Sequence, residues 1–221
     1  MKYILCILMG YAVGIINPAH FIAKLHGMDI KKSGSNNAGA SNALILFGKL
    51  TGVFCALFDI GKAFFVIWLT GFLFPELPCV FAITSVACIV GHIFPFYLKF
   101  RGGKGLACFG GMVLYYDWRV FLIFLAAELV VVLLTNYICF VPITASIVFP
   151  VVYGFMRKDL TGALILAIIT LIMLYKHKEN IDRIRQGTEA RFSLLWNKEK
   201  ELDRIKQNFD ETENNKEKSN E

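Results

Sequence analysis

Apolar runs of membrane-spanning length follow one another along most of this chain, and they constrain it more than any other feature. A bilayer core of roughly 30 Å takes about 20 apolar residues to cross as a helix. On that measure seven helices are predicted, over 3–25, 50–74, 79–98, 105–116, 119–135, 137–156 and 160–175. The fourth run is short, and the junction between the fifth and sixth is tight. The fold class is therefore an all-α polytopic membrane protein. Lys2 ahead of a run from Tyr3 to Ile16 resembles the start of a signal peptide. The run continues through Leu25 with no small-residue cleavage pattern and no polar mature domain after it, so it reads as a retained first helix.

Composition agrees. Of 221 residues, 56% are hydrophobic and only 18% charged, whereas soluble domains carry about 25% charged residues. A net charge of +6 is compatible in principle with nucleic-acid binding, but the Lys and Arg residues flank the apolar runs, which is membrane topology and excludes a nucleic-acid partner. Cys6, Cys55, Cys79, Cys88, Cys108 and Cys139 lie in or beside apolar runs without close CxxC spacing or clustered histidines, which argues against disulfides and zinc.

Short loops rich in Lys and Arg stay in the cytoplasm. Three segments are basic: Lys24, Lys31, Lys32 and Lys49 after the first run; Lys99, Arg101 and Lys104 after the third; and Lys176, Lys178, Arg183, Arg185 and Arg191 after the last. Seven crossings put all three on one side, with the N-terminus outside and the C-terminus cytoplasmic. The opposite loops, near Glu76 and Asp117, carry little positive charge, Arg157 and Lys158 being the exception. Two regions follow: a membrane domain over 1–199 and a charged, disordered cytoplasmic tail over 200–221, which buries too little to fold alone. A short amphipathic helix through Leu202 and Ile205 is the alternative for the tail. No internal repeat is visible.

The polar segments hold the chemistry. The first reads Ser33-Gly34-Ser35-Asn36-Asn37-Ala38-Gly39-Ala40-Ser41-Asn42. Glycines let backbone N–H groups converge on an anion, Ser and Asn add neutral donors, and a following helix offers its positive end. The second, Phe100-Arg101-Gly102-Gly103-Lys104-Gly105, sets one lysine among glycines and lacks the P-loop spacing, so nucleotide hydrolysis is not implied. The third, His177 through Glu189, places His177 and Asn180 on one helix face. Singly, these read equally well as a flexible turn, a topology anchor and a solvated juxtamembrane helix. Their coincidence on one membrane face points to a phosphate site.

These residues resemble a family, the bacterial acyl-phosphate:glycerol-3-phosphate acyltransferases, across most of residues 1–192. Gly34-Ser35 with Asn37, Gly39, Ala40 and Asn42 is similar to its first motif, Phe100–Gly105 with Ala107 to its second, and His177, Glu179, Asn180, Ile181, Arg183 and Gly187–Glu189 to its third. Asp59, Lys62 and Gly91-His92-Ile93-Phe94-Pro95 fit the pattern between them. The resemblance implies transfer of an acyl group from acyl phosphate to the 1-hydroxyl of glycerol 3-phosphate at the bacterial cell membrane, giving lysophosphatidic acid and phosphate. It implies catalytic roles for Ser35, Lys104, His177 and Asn180. Substrate binding falls to Gly34, Asn37, Gly39, Ser41, Asn42, Gly102, Gly103, Gly105, Glu179 and Arg183. Neither a metal, a cofactor nor a covalent acyl-enzyme is implied, and the partners are the two substrates and membrane lipid.

An acyl phosphate is already activated, so orienting two anions is the main task. Lys104 suits phosphate as a point charge, with Ser35, Asn37 and glycine N–H groups sharing the remaining oxygens. His177 either binds phosphate, the favoured role, or takes the hydroxyl proton. Departures from the family pattern predict a divergent member. Ile45 stands where Arg is usual, 136–142 lacks an Arg and two hydroxyls and ends in Pro142, and Ser41 and Cys108 replace Thr. Asp59 with Lys62 reads as a neutralising pair supporting the loops, His92 as a packed histidine, and Glu128 as a carboxyl with no identifiable partner. The competing readings are a transporter or flippase of a phosphorylated metabolite, a homologue with another acceptor, and an inactive homologue.

Overall fold

A computed structural model describes residues 1–195 and 197–218. Among them the regular structure is helical: α1 (Lys2–Gly14), α2 (Pro18–Leu25), α3 (Ala40–Phe47), α4 (Lys49–Leu73), α5 (Val80–Ile93), α6 (Leu106–Tyr116), α7 (Trp118–Thr135), α8 (Phe140–Arg157), α9 (Leu160–Arg185) and α10 (Lys198–Lys218), with short 3-10 turns between. Among the described residues six segments are long and apolar enough to cross a membrane: Lys2–Leu25, Lys49–Leu73, Val80–Leu98, Trp118–Thr135, Phe140–Arg157 and Leu160–Arg185. The 11 residues of α6 rise only about 17 Å, so length alone does not make it a span. The exterior is apolar, with Phe72 71%, Leu134 81% and Phe155 85% exposed, a surface stable against hydrocarbon and costly against water. Met112, Phe149, Leu166 and Met173 are central to the main core.

The single helix expected over 3–25 is corrected: the chain breaks between α1 and α2. Pro18 lacks an N–H and disfavours helical backbone at the residue before it. Asn17 turns extended and caps α2, its Oδ1 accepting from the His20 N–H at 2.8 Å. Side chains from other elements take up carbonyls at the break, Tyr97 Oη donating to Ile15 O at 2.6 Å and Lys62 Nζ to Ile16 O at 2.5 Å. Pro150 inside α8 likewise removes the donor due to the Ser146 carbonyl, and Thr170 Oγ1 of α9 donates there at 2.5 Å. Away from water, backbone groups freed by proline need such protein donors.

Contacts sort the loops into two ends of the bundle. At one end, Asn136 after α7 accepts from the N–H groups of Phe192 and Ser193 at 2.7 and 3.0 Å. Tyr11 of α1 donates to Phe94 O after α5 at 2.9 Å. At the other end, Arg157 of α8 lies 5.1 Å from the Tyr116 ring of α6, and Tyr153 donates to Asp159 at 3.1 Å. α9 runs past Tyr175, where apolarity stops, to Arg185, because Lys, Glu and Arg are good helix formers. That extension carries His177 and Asn180 out of the apolar bundle on a rigid element.

Candidate functional site

The first polar loop is organised by Asn42, which is fully buried. Its Oδ1 accepts from the Ser35 N–H at 2.8 Å, and its Nδ2 donates to Ser33 O at 2.9 Å and Ile30 O at 3.0 Å. Both N–H donors and the carbonyl are thus committed to the loop. Asn42 thereby shapes the loop, and Ser35 and Ser41 are exposed on it. Asn17 Nδ2 pins the loop from α2 through Ala38 O at 2.7 Å.

In the second loop, Gly102 N–H donates to Ile93 O at 2.9 Å and Gly103 N–H to His92 O at 3.2 Å. Both N–H groups thus have acceptors within the protein. Gly103 also allows close approach, since a Cβ there would stand 2.1 Å from His92 Nε2. Lys99 and Phe100 both adopt left-handed φ, +55° and +59°, at about 1 kcal/mol or more each. Gly105 turns the chain into α6 at φ +87°.

His92 is held from behind by an ion pair. Lys62 Nζ lies 2.7 Å from Asp59 Oδ1 and 3.1 Å from His92 Nδ1, all three residues being buried. The expected pair is therefore a triad, and through the His92 carbonyl it supports the loop carrying Lys104. Asp59, His92 and Cys108 come close enough to hold a metal ion. The Lys62 ammonium, however, already lies against the Asp59 and His92 donors, so the set does not fit a resident cation. Glu128 gains a partner that the sequence hides: Thr144 Oγ1 donates to its Oε2 at 2.7 Å.

The three segments meet. A Cβ on Gly39 would lie 3.8 Å from Gly103 Cα, joining the first loop to the second. Lys104 Nζ donates to Asn180 Oδ1 at 2.6 Å, joining the second to α9. Asn180 Nδ2 donates to Glu189 Oε1 at 2.6 Å, and Arg183 Nε to Glu189 Oε2 at 2.6 Å. Glu189 is thus the hub that the sequence reading left out of the site, although its signal lay in the third motif. Glu179 stands apart, its side chain 91% exposed and 4.0 Å from Arg183.

Burial, and then the Arg183 cation, pull Lys104 below the ordinary lysine value, with Glu189 opposing. Lys104 is therefore a poorly solvated cation that gains from an incoming anion. His177 is buried, and its Nδ1 lies 2.8 Å from Met173 O. A carbonyl only accepts, so Nδ1 carries the hydrogen, and in the neutral ring Nε2 is then the acceptor. Ile45 is 61% exposed on α3, and Pro142 sits in the first turn of α8, where a missing N–H is tolerated. A cavity of about 460 Å³ lined by Tyr116, Tyr153, Arg157 and Asp159 contains none of these residues.

Fold and site together define an all-helical, multi-pass integral membrane protein with a cationic polar site in the loops at one end of the bundle. The glycerol-3-phosphate acyltransferase family profile matches residues 4–187, and the chain belongs to that family. A glycerol-3-phosphate acyltransferase of Finegoldia magna is 36% identical over 197 residues, covering 86% of this chain and 98% of the relative. One of Thermotoga petrophila is 33% identical over 189 residues, covering 85% and 95%. The crystal structure of PlsY (YgiH), an integral membrane glycerol 3-phosphate acyltransferase, in its glycerol 3-phosphate form matches with a TM-score of 0.78 and 32% identity, covering 88% of this chain and 98% of that one. Its lysophosphatidic acid form matches with 0.78 and 30%, covering 88% and 97%.

Proposed function

We propose that the protein transfers an acyl group from acyl phosphate to the 1-hydroxyl of glycerol 3-phosphate, forming lysophosphatidic acid and inorganic phosphate in bacterial phospholipid synthesis. The observation that carries this reading is the joining of the three polar segments, Gly39 to Gly103 and Lys104 to Asn180, which makes one anion site out of three weak signals. The substrate oxygen attacks the acyl carbonyl carbon, the bond from that carbon to the phosphate oxygen breaks, and phosphate leaves. Lys104, with Arg183 nearby, neutralises phosphate, and Ser35 adds a hydroxyl donor. His177 Nε2 receives the hydroxyl proton, a role supported by the engagement of Nδ1–H on Met173 and preferred here to phosphate binding. The acyl chain follows the apolar groove between α6, α7 and α8, which begins at Leu106 and Val141 beside the loop.

Seven crossings fit the grouping of loops. The starts of α6 and α8 and the ends of α7 and α9 group with the site loops, which supports reading α6 as a crossing despite its length. Lys and Arg in the site loops put that end in the cytoplasm and the N-terminus outside the cell membrane. The membrane domain ends near residue 199, and the charged segment beyond it, helical through Lys218, lies in the cytoplasm; the last part of the tail expected over 200–221 falls outside the described residues. Incubating purified protein with acyl phosphate and a panel of phosphorylated polyols, with lipid products identified by mass spectrometry, tests the reading. Acylated glycerol 3-phosphate is expected; acylation of another polyol alone, or of none, would overturn it.

A further inference from the structure

The family match ends at residue 187, yet the chain continues into α10 and folds back onto the site. Arg204 of α10 donates through Nη1 to the Gly187 carbonyl and through Nη2 to the Glu189 carbonyl at 2.8 Å. Asn208, one turn further, donates to the same Gly187 carbonyl at 2.8 Å. Glu201, 5% exposed, aims the guanidinium at 2.5 Å and also accepts from the Arg191 N–H at 3.0 Å. The turn held on its outer side by Arg204 is the turn whose Glu189 carboxylate, on the inner side, ties Asn180 and Arg183.

The geometry points to Arg204 as a positioning residue for acyl transfer: gripping the carbonyls of Gly187 and Glu189, it holds the Glu189 carboxylate against Asn180, and Asn180 against Lys104. The inference rests on the acyltransferase reading for its kinetic consequences. Two features separate it from generic packing. Arg204 is an arginine whose planar fork meets the two carbonyls through two separate nitrogens, a fixed spread that the single nitrogen of lysine lacks. Its effect is also transmitted through a carboxylate that faces a titrating cation. The charged and titratable groups around Lys104 are Arg183, Glu189, Glu179 and Cys139, with His177 close enough to interact. Glu189 is the largest influence favouring the ammonium, so loosening it lets Lys104 deprotonate at lower pH.

The test uses the full-length protein with Arg204→Ala, Arg204→Lys and the exposed control Lys206→Ala. Arg204→Ala is expected to raise KM for glycerol 3-phosphate roughly three- to tenfold, with a smaller change in kcat. It is also expected to move the alkaline limb of kcat/KM to lower pH. Arg204→Lys should restore part of both effects, and Lys206→Ala neither. Hydrogen exchange over 183–191 should quicken in Arg204→Ala while the apolar helices stay protected. Unchanged KM, pH limb and exchange in Arg204→Ala, or equal effects in Lys206→Ala, would overturn the positioning role. If the wild type acylates nothing, the activity reading fails alone, and the clamp stands or falls on the exchange of 183–191.

Discussion

Replacing Asn180 with leucine removes both sides of the bridge on which the site depends while keeping the number and branching of the side-chain heavy atoms. The wild-type side chain is 4% exposed, and it accepts from Lys104 Nζ and donates to Glu189 Oε1, each at 2.6 Å. Hydrogen bonds to charged partners are worth about 1.5–3 kcal/mol each. Lys104 and Glu189 are only partly buried, so solvent recovers some of the loss and the lower figure applies, about 3 kcal/mol for the two. At about 1.4 kcal/mol per decade, kcat/KM should fall roughly 100- to 200-fold. KM should carry much of the change, because the displaced group is the lysine proposed to face the phosphate. Residue 180 lies outside the main core cluster, so the bundle should stay folded in detergent, with a melting temperature lowered by several degrees. Initial rates over a glycerol 3-phosphate titration measure the effect. A loss below about threefold in a folded variant would refute the bridge.

Other expectations follow from the same geometry. Lys104 is held below the ordinary lysine value, first by burial, and its ammonium is the proposed binding form, so activity should fall on the alkaline side before a free lysine would titrate. Bound phosphate favours the ammonium, which places the limb in kcat/KM below the limb in kcat; Lys104→Arg should carry it out of range, and an unmoved limb would assign it to another group. Gly103→Ala drives a Cβ to 2.1 Å from His92 Nε2, a buried ring tied to Asp59 and Lys62; overpacking of this kind costs about 1–3 kcal/mol, visible as a lower melting temperature together with lost activity. Ile45→Arg, at a position 61% exposed where the family pattern has arginine, should lower KM for glycerol 3-phosphate roughly three- to tenfold by adding a charge-assisted donor. An unchanged KM would mean that position 45 does not face the phosphate.

Hydropathy and basic loops made the all-helical membrane fold and the three polar segments readable, because hydrocarbon thickness and charge retention act on composition directly. The break at Asn17-Pro18 carried a local signal, but continuous apolarity on both sides masked it. The triad of Asp59, Lys62 and His92 was half legible: helical spacing pairs the first two, whereas His92 arrives from α5 through tertiary packing. Asn42, Gly102 and Gly103 stand in motifs visible in the sequence, but which hydrogen-bond donors the fold engages there is set by tertiary packing. Glu189 lay in plain view within a motif. Glu201 and Arg204 were hidden differently, as two charges in a run of charges whose pattern reads as solvated until the helix is seen folded against the Gly187 turn.

Equilibrium binding of radiolabelled glycerol 3-phosphate to the purified protein addresses most directly whether the loops and α9 build one phosphate seat. Saturable binding is predicted for the wild type, with loss in Lys104→Met, weakening in Asn180→Leu, and retention in His177→Gln despite its lost turnover. Wild-type affinity in Lys104→Met would contradict the account.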